Sequence, residues 1–352
     1  MKRIPKILIF SLENLYLVGG AVRDLILGLE PKEYDLITTT PLERIRLKTF
    51  AESNNGQTIG FFSKGVKYDI SHYSSLIEDL ERRDFTINSM ALPVKKNGTI
   101  SLKEIVDPCG GLDDLKAGLL RSFNPLDSFF SDPVRVVRGL RFISEYDLNV
   151  EQNTLDAMKG ALKEIDKVAR ERIFSPLSKF IEGKYFQKAA KVAVKIGLDK
   201  LLFVPLENID AIEILDPCCR WPAIFWEKMD VFSKFINVVF PPKHLIRWIT
   251  RLTIFSEEVK HRKFGWTVRI SKEESNCLLS LLKVFKLNSD IVEKYARLDL
   301  AVTPQELIFI GAKGREISII MTEIWKSVLT SKLPNEKNHL LNFAREILKN
   351  LH

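Results

Sequence analysis

Apolar and polar positions follow two different rhythms along this chain. Over residues 1–120 the apolar runs are short and sit between glycines and turn residues: LYLVGG, YDLITT, TIGFFS, VKYDISHY and FTINSMAL. Alternation with period two in such runs predicts strands, whose side chains face opposite sides of a sheet in turn. Helical spacing interleaves in AVRDLILGL and PLERIRLKTFAES, so this region is expected to fold as a compact α/β or α+β unit. From about Asp132 onward the strand-like runs thin out. Amphipathic helical stretches take over, as in DPVRVVRGLRFISEY, EQNTLDAMKGALKEIDKVA, KEESNCLLSLLKVFKL and NHLLNFAREILKNL. The chain shows no internal repeat and no low-complexity linker. The pattern predicts an α+β head followed by an all-α remainder.

Within the head, PKEYDLITT puts Glu33 and Asp35 two apart in a predicted strand. Both acids then share one face, and Tyr34 and Leu36 the other. Two carboxylates so placed can grip one hard cation, but a solvent-facing strand end has the same pattern. Upstream, LVGGAVRD reads as a strand, a Gly-Gly turn and a helix. Gly19 and Gly20 allow close backbone approach, the new helix offers free N–H groups to a phosphate, and Arg23 adds a bidentate contact. Alone, this is also an ordinary strand–helix turn. A phosphate cradle beside paired carboxylates is the arrangement that nucleotidyl transfer needs, with metal ions at the attacking hydroxyl and the leaving pyrophosphate. Mg²⁺ suits it, because Mg²⁺ favours carboxylate oxygens plus substrate phosphates. Asp69 is a candidate third acid. Its strand alternates Lys67, Asp69 and Ser71 against Tyr68, Ile70 and His72, and a solvated strand residue is the other reading.

Two further stretches carry clustered charge. In LERRDFTINSMAL, Arg83, Asp84 and Asn88 offer donors and acceptors for phosphate and ribose; a charged helix end leading into an apolar helix is the alternative. DPVRVVRGLRF reads as a helix with Asp132 at the N-cap and Pro133 at the first position. Arg135, Arg138 and Arg141 recur every three residues on one broad face, which is either a solvated basic face or a surface for a ligand. A carboxylate and a guanidinium three apart, Asp132 and Arg135, can accept from and donate to the edge of a base.

Composition changes this picture little. Of 352 residues 45% are hydrophobic and 28% charged, so the chain can bury real cores and carries no disorder signature. No apolar run is long enough to cross a bilayer. Lys and Arg outnumber Asp and Glu by 53 to 45, which is compatible with a polyanionic partner such as RNA. The start, MKRIPKILIFSLENLYL, is basic then apolar like a signal peptide, but Glu13 breaks the run and no small-residue cleavage site follows; it is read as folded protein. Four cysteines, Cys109, Cys218, Cys219 and Cys277, form no CxxC pair and no cluster with histidine. That predicts a reducing, cytoplasmic setting and no structural zinc.

LVGGAVRD…EYD, RRDFTINSMA, DPCGGLDDLKAGLLR, DPVRVVRGLRF and RERIFSPLSKFI occur in the order seen in bacterial class II tRNA nucleotidyltransferases and poly(A) polymerases. GAKGREISIIMTEIWKSVLTSKLPN resembles the end of that family's tail. The resemblance spans nearly the whole chain. It implies a polymerase-β-like head over residues 1–125, a helical neck for base selection over 126–185, and a tRNA-binding body and tail over 186–352. It further implies protein-templated addition of CMP or AMP to an RNA 3′ end from CTP or ATP with Mg²⁺. Carried over, Gly19, Gly20 and Arg23 would hold the triphosphate. Glu33 and Asp35 would bind metal, with Asp69 as third catalytic acid. Arg83, Asp84 and Asn88 would hold sugar and phosphates. Asp132 and Arg135 would read the base, and Arg138 and Arg141 would lie against nucleotide or RNA.

This chain departs from the family in three places. The metal pair is usually Asp-x-Asp, and here the first acid is Glu33. The residue before the base-reading Asp is usually Glu, and here it is Ser131. Relatives that complete CCA or add A carry a flexible loop between the third-acid strand and the RRD segment, whereas DISHYSSLIEDLERRD passes from strand to helix within a few residues. The missing loop favours a CC-adding enzyme, with full CCA addition and then A or poly(A) addition as alternatives, while Glu33 and Ser131 motivate a further alternative, an RNA-binding relative that has lost catalysis. The histidines form no His-Asp dipeptide, so the phosphohydrolase activity of some larger relatives is not expected.

Overall fold

A computed structural model describes residues 4–44, 51–52, 58–63 and 65–352. The chain divides into two compact units, Met1–Leu198 and Asp199–His352. Among the described residues no helix is long and apolar enough to cross a membrane.

The first unit is built on a sheet of β1 (Tyr16–Val18), β2 (Glu33–Thr38), β3 (Ala51–Glu52), β4 (Thr58–Ser63), β5 (Val66–His72) and β6 (Ala91–Pro93). Their spatial order is β3-β4-β5-β2-β1-β6. The central pair, β2 and β5, is parallel and sets Asp35 opposite Asp69 and Glu33 opposite Lys67; the other pairings are antiparallel. The period-two reading of these strands holds. Tyr34 and Leu36 are buried while Glu33 and Asp35 are open, and in β5 Tyr68 and Ile70 are buried while Lys67, Asp69 and Ser71 are partly open. The two tyrosines stack, 5.2 Å between ring centroids. The acid-bearing face closes at Ile37, which packs with Val18, Tyr73, Leu80 and Ala91. The carboxylates therefore occupy the one end of β2 that apolar cover does not reach.

Helices of this unit are α1 (Lys6–Ser11), α2 (Gly20–Ile26), α3 (Leu76–Glu81), α4 (Gly111–Lys116), α5 (Pro125–Ser131), α6 (Val134–Tyr146), α7 (Gln152–Ala161), α8 (Glu171–Glu182) and α9 (Phe186–Ile196). Ile4 and Leu8 are buried, so the apolar start is part of the fold. Only Tyr73, Ser74 and Ser75 connect β5 to α3, and Ser75 caps α3 by accepting from the Glu78 N–H.

Some expectations need correction. The helix expected in PLERIRLKTFAES is a short 3₁₀ turn at Leu42–Arg44, and Ala51–Glu52 pairs as a strand with β4; residues 45–50 lie outside the described residues. The strand expected in FTINSMAL is present at its end as β6, paired with β1, and a 3₁₀ turn, Thr86–Asn88, precedes it; the alternative of an apolar helix after the RRD segment is not realised. Helix α6 starts at Val134, after Pro133, with no side-chain cap. The Asp132 carboxylate is drawn instead to Arg172 Nη2, 2.7 Å away.

The DPCGGLDDLKAGLLR segment is a buttress under the RRD segment. Asp107 accepts from the N–H groups of Gly111 and Leu112, 2.8 Å each, and so starts α4. Asp114 Oδ2 accepts from Thr86 Oγ1 at 2.6 Å and from Arg121 Nε at 2.9 Å. Helix α4 comes so close that a Cβ on Gly111 would lie 2.0 Å from the Thr86 carbonyl oxygen.

The second unit is helical, as the spacing predicts. Its core includes Leu307, Ile320, Ile324 and Leu340 at essentially zero exposure. Ser271 and Glu274 form a capping box at Lys272–Val284, and the buried Glu274 carboxylate accepts from Arg251 Nε at 2.5 Å. Cys219 and Cys277, 58 residues apart, meet in a disulfide. Two helices bring these sulfurs together, a pairing that their spacing in sequence does not reveal.

Gly111→Ala is expected to destabilise the protein by about 3 kcal/mol, the upper end of the usual cost of overpacking, since backbone rather than a movable side chain occupies the space. Urea unfolding followed by far-UV circular dichroism measures this; a midpoint like that of the wild type would contradict the packing of α4 on Thr86.

Candidate active site

The Gly-Gly turn ends β1 and begins α2. Gly19 has φ +71°, a conformation side chains with a Cβ rarely adopt. A Cβ there would lie 2.9 Å from Arg83 Nη1 and 3.3 Å from Asp35 Oδ2. The missing side chain thus lets a guanidinium and a carboxylate reach the turn together. Arg83 is held there by Asp79, four residues earlier on α3, which accepts from Nη2 at 2.9 Å and Nε at 3.2 Å.

Glu33 and Asp35 face the same open space. Surrounding protein pushes the Asp35 pKa up; Arg83 opposes this, and the negative charges of Asp69 and Glu33 add to it. Asp69, on the neighbouring strand, accepts from Lys67 Nζ at 2.6 Å. This contact raises the Lys67 pKa. Among the described residues no three His, Cys, Asp or Glu side chains converge as a ready-made cage. Two carboxylates beside an open cleft nonetheless fit a hard cation that draws its other ligands from substrate phosphates and water.

The RRD segment and α6 are tied to the turn by a buried polar chain. Asp84 is 5% exposed; its Oδ1 accepts from Asn88 Nδ2 at 3.0 Å and the Phe85 N–H at 2.9 Å, and its Oδ2 lies 2.7 Å from Arg138 Nη2. Burial alone would raise the Asp84 pKa, but Arg138 and these hydrogen bonds hold it below the usual carboxylate value. Asn88 Oδ1 in turn accepts from Arg23 Nη1 at 2.6 Å. Arg23 also donates to Asp24 Oδ1 from Nη2 (2.9 Å) and Nε (3.2 Å) and to the Tyr146 hydroxyl from Nη2 (2.7 Å), and lies over the Tyr146 ring. Burial pushes the Tyr146 pKa up to about 12, so at neutral pH the hydroxyl keeps its proton for Asp24. Arg23 is 4% exposed, and four of its five N–H donors are engaged by these partners.

On α6, Arg135, Arg138 and Arg141 are at least partly open while Val136, Val137, Leu140 and Ile143 are buried, so the arginine stripe faces outward from the core. Arg135 donates to Ser128 Oγ at 2.7 Å and to the Arg82 carbonyl at 3.2 Å. Arg141 pairs with Glu145 at 2.9 Å.

One cleft of about 1270 Å³ gathers Gly19, Gly20, Arg23, Glu33, Asp35, Arg83, Asp84, Asn88, Asp132, Arg135, Arg138 and Arg141. Asp69 lines a smaller cavity of about 310 Å³ that shares Asp35 and Arg83 with it. Sequence reasoning missed Asp79, Tyr146, Ser128 and Arg172. The i, i+4 spacing of Asp79 and Arg83 was a readable signal; Arg172 lay inside RERIFSPLSKFI without an assigned partner, and nothing local marked Tyr146.

Residues 15–65 and 61–121 match the Poly A polymerase head domain family, and residues 147–209 match the family described as the probable RNA and SrmB-binding site of polymerase A. A CCA-adding enzyme of Ligilactobacillus salivarius is 34% identical across 95% of this chain and 93% of that protein. A CC-adding tRNA nucleotidyltransferase of Halalkalibacterium halodurans is 38% identical over a shorter match, 48% of this chain and 45% of that protein. The solved CCA-adding enzyme of Bacillus stearothermophilus in complex with CTP superposes with a TM-score of 0.69 over 96% of this chain and 93% of that one, at 21% identity. That likeness shows the fold, a polymerase head followed by helices.

Removing the junction of the polar chain should cost more than trimming its end. Asn88→Ala strands parts of two buried ions and is expected to lose about 2–3 kcal/mol; Tyr146→Phe removes one hydroxyl and should lose about 1 kcal/mol. Denaturant melts of both variants measure the order, and the reverse order would move the junction away from Asn88.

Proposed function

The chain belongs to the class II tRNA nucleotidyltransferase and poly(A) polymerase family, and on that premise we propose that it adds CMP, two residues in succession, to the 3′ ends of tRNAs. The observation that carries this reading is the single cleft in which the Gly-Gly turn, the paired acids, the RRD segment and the Asp132–Arg135 pair all meet. In this reading the Gly19–Gly20 backbone and Arg83 receive the triphosphate of CTP, with Arg23 behind them holding Asn88. Glu33 and Asp35 hold Mg²⁺, and Asp69 stands on the next strand as third acid. When bound, the ion offsets charge building on the phosphate oxygens and activates the attacking 3′ hydroxyl.

Base choice follows from hydrogen-bond complementarity. Cytosine offers an amino donor beside a ring-nitrogen acceptor, which matches the Asp132 carboxylate and the Arg135 guanidinium; uracil presents the opposite order. Arg172 keeps the Asp132 carboxylate from turning away. Asp84 and Asn88 order the sugar side of the pocket, and Arg138 and Arg141 lie along the path of the RNA backbone. The helices after residue 186 take the acceptor arm of tRNA, and the cytoplasm is the compartment in which that substrate is met.

The direct passage from β5 to α3, through Tyr73–Ser75, supports CC rather than CCA addition. No long loop intervenes there to reshape the pocket from CTP to ATP. Glu33 in place of Asp supports a second reading, an RNA-binding relative with weakened chemistry. Its extra methylene displaces the carboxylate, and misplacement of about 1 Å can cost roughly a hundredfold in rate.

A tRNA transcript ending at the discriminator base, incubated with Mg²⁺ and CTP, should grow by two nucleotides and no further when ATP is added. A third nucleotide would refute CC-only addition, and no growth at all would refute the enzyme reading. Asp35→Ala is expected to slow extension by roughly a thousandfold, and turnover at the wild-type rate would remove Asp35 from the metal site.

A further inference from the structure

We propose that Ser128 is the positioning residue for Arg135 and thereby sets how strictly this enzyme selects the base. The inference rests on the proposed reading in which Arg135 reads the nucleotide. Arg135 lies in the first turn of α6 and reaches back across the break between α5 and α6 to donate from Nη1 to Ser128 Oγ at 2.7 Å. Its Nη2 donates to the Arg82 carbonyl at 3.2 Å. Two of its five N–H groups are thus anchored, one from each terminal nitrogen, which fixes the guanidinium plane and leaves the remaining donors for a base edge.

Ser131, which directly precedes Asp132, plays a different part. Its hydroxyl donates to the Ser128 carbonyl at 3.1 Å and so satisfies the end of α5 rather than holding a guanidinium. The acceptor for Arg135 comes from one helical turn earlier. Ser128 is buried, and its neighbour Phe129 packs at 5.8 Å against Phe85, which packs at 5.6 Å against Phe142 of α6. The hydroxyl therefore sits on a rigid aromatic platform shared by both helices. A rigid mount matters more here than strength, because the acceptor is neutral. A neutral acceptor holds a guanidinium less firmly than a carboxylate and leaves its full positive charge facing the pocket.

The test compares single-nucleotide incorporation from CTP, UTP and ATP by the wild-type enzyme and by Ser128→Ala, Ser128→Thr and Ser128→Ala/Ser131→Glu. Ser128→Ala should raise KM for CTP and lower the CTP-over-UTP ratio of kcat/KM by roughly tenfold, with kcat for CTP much less affected. Ser128→Thr keeps the hydroxyl and should restore the ratio. Ser131→Glu in the Ala background supplies a carboxylate from the adjacent turn and should restore it too. An undiminished ratio in Ser128→Ala, alongside a discriminating wild type, would overturn the role of Ser128 and leave the function standing. An equal fall in kcat for all nucleotides together with a lowered Tm would reduce Ser128 to packing and also overturn it. Failure of the wild type to extend tRNA with any nucleotide would overturn the function itself, and this inference with it.

Discussion

A run of buried polar contacts governs the geometry of this site: Arg138 to Asp84, Asp84 to Asn88, Asn88 to Arg23, and Arg23 to Asp24 and Tyr146. Asp84 and Arg23 have lost most of their water and are tolerated because their neighbours replace that hydration, while Arg138 at the outer end keeps part of its own. No member can move alone without leaving a charge uncompensated. The run joins three parts of the chain that share no sequence neighbourhood, namely the Gly-Gly turn, the RRD segment and α6. Its effect is less to add net stability than to choose one arrangement of these three parts over looser ones.

The surrounding scaffold serves the same end from below. Helix α4 presses on the Thr86 carbonyl through Gly111, and Asp114 holds the Thr86 hydroxyl. The turn at Thr86–Asn88 that carries Asn88 is thereby held from both sides. Ile37, Leu80 and Tyr73 close the apolar end of the same sheet face, so polar chemistry is confined to the end where Glu33 and Asp35 emerge. Apolar packing and the polar chain divide one face of one sheet between them.

What the sequence disclosed follows the range over which its signals act. Period-two alternation is local, and it correctly separated Glu33 and Asp35 from Tyr34 and Leu36 within β2, and Lys67, Asp69 and Ser71 from Tyr68 and Ile70 within β5; the register of the two strands then puts both polar sets on one face of the sheet. Ordered motifs located the cleft residues, from Gly19 to Arg141, that the fold gathers. Contacts between distant segments left no local trace. Tyr146 meets a guanidinium 123 residues away, and Cys219 meets Cys277 only because two helices cross. The role of DPCGGLDDLKAGLLR was equally hidden, since a glycine that admits a backbone carbonyl looks in sequence like any turn glycine. The start of α6 was misplaced for a related reason. Asp132 has the composition of a helix cap, but Arg172 offers its carboxylate a full charge where the helix offers only N–H groups.

The membership of the cleft wall has a consequence for how a nucleotide enters. Among the described residues, nine arginine and lysine side chains line it, and nine aspartates and glutamates line it with them. Formal charge cancels over these side chains, so the wall itself adds little net pull on a free triphosphate, and attraction at long range is left to the chain's overall excess of Lys and Arg, 53 against 45. At the wall, capture depends on short-range fit, where individual ion pairs can be exchanged. Such a cleft gives no advantage to the many other phosphates around it, and it should be less sensitive to ionic strength at nucleotide entry than a purely basic groove.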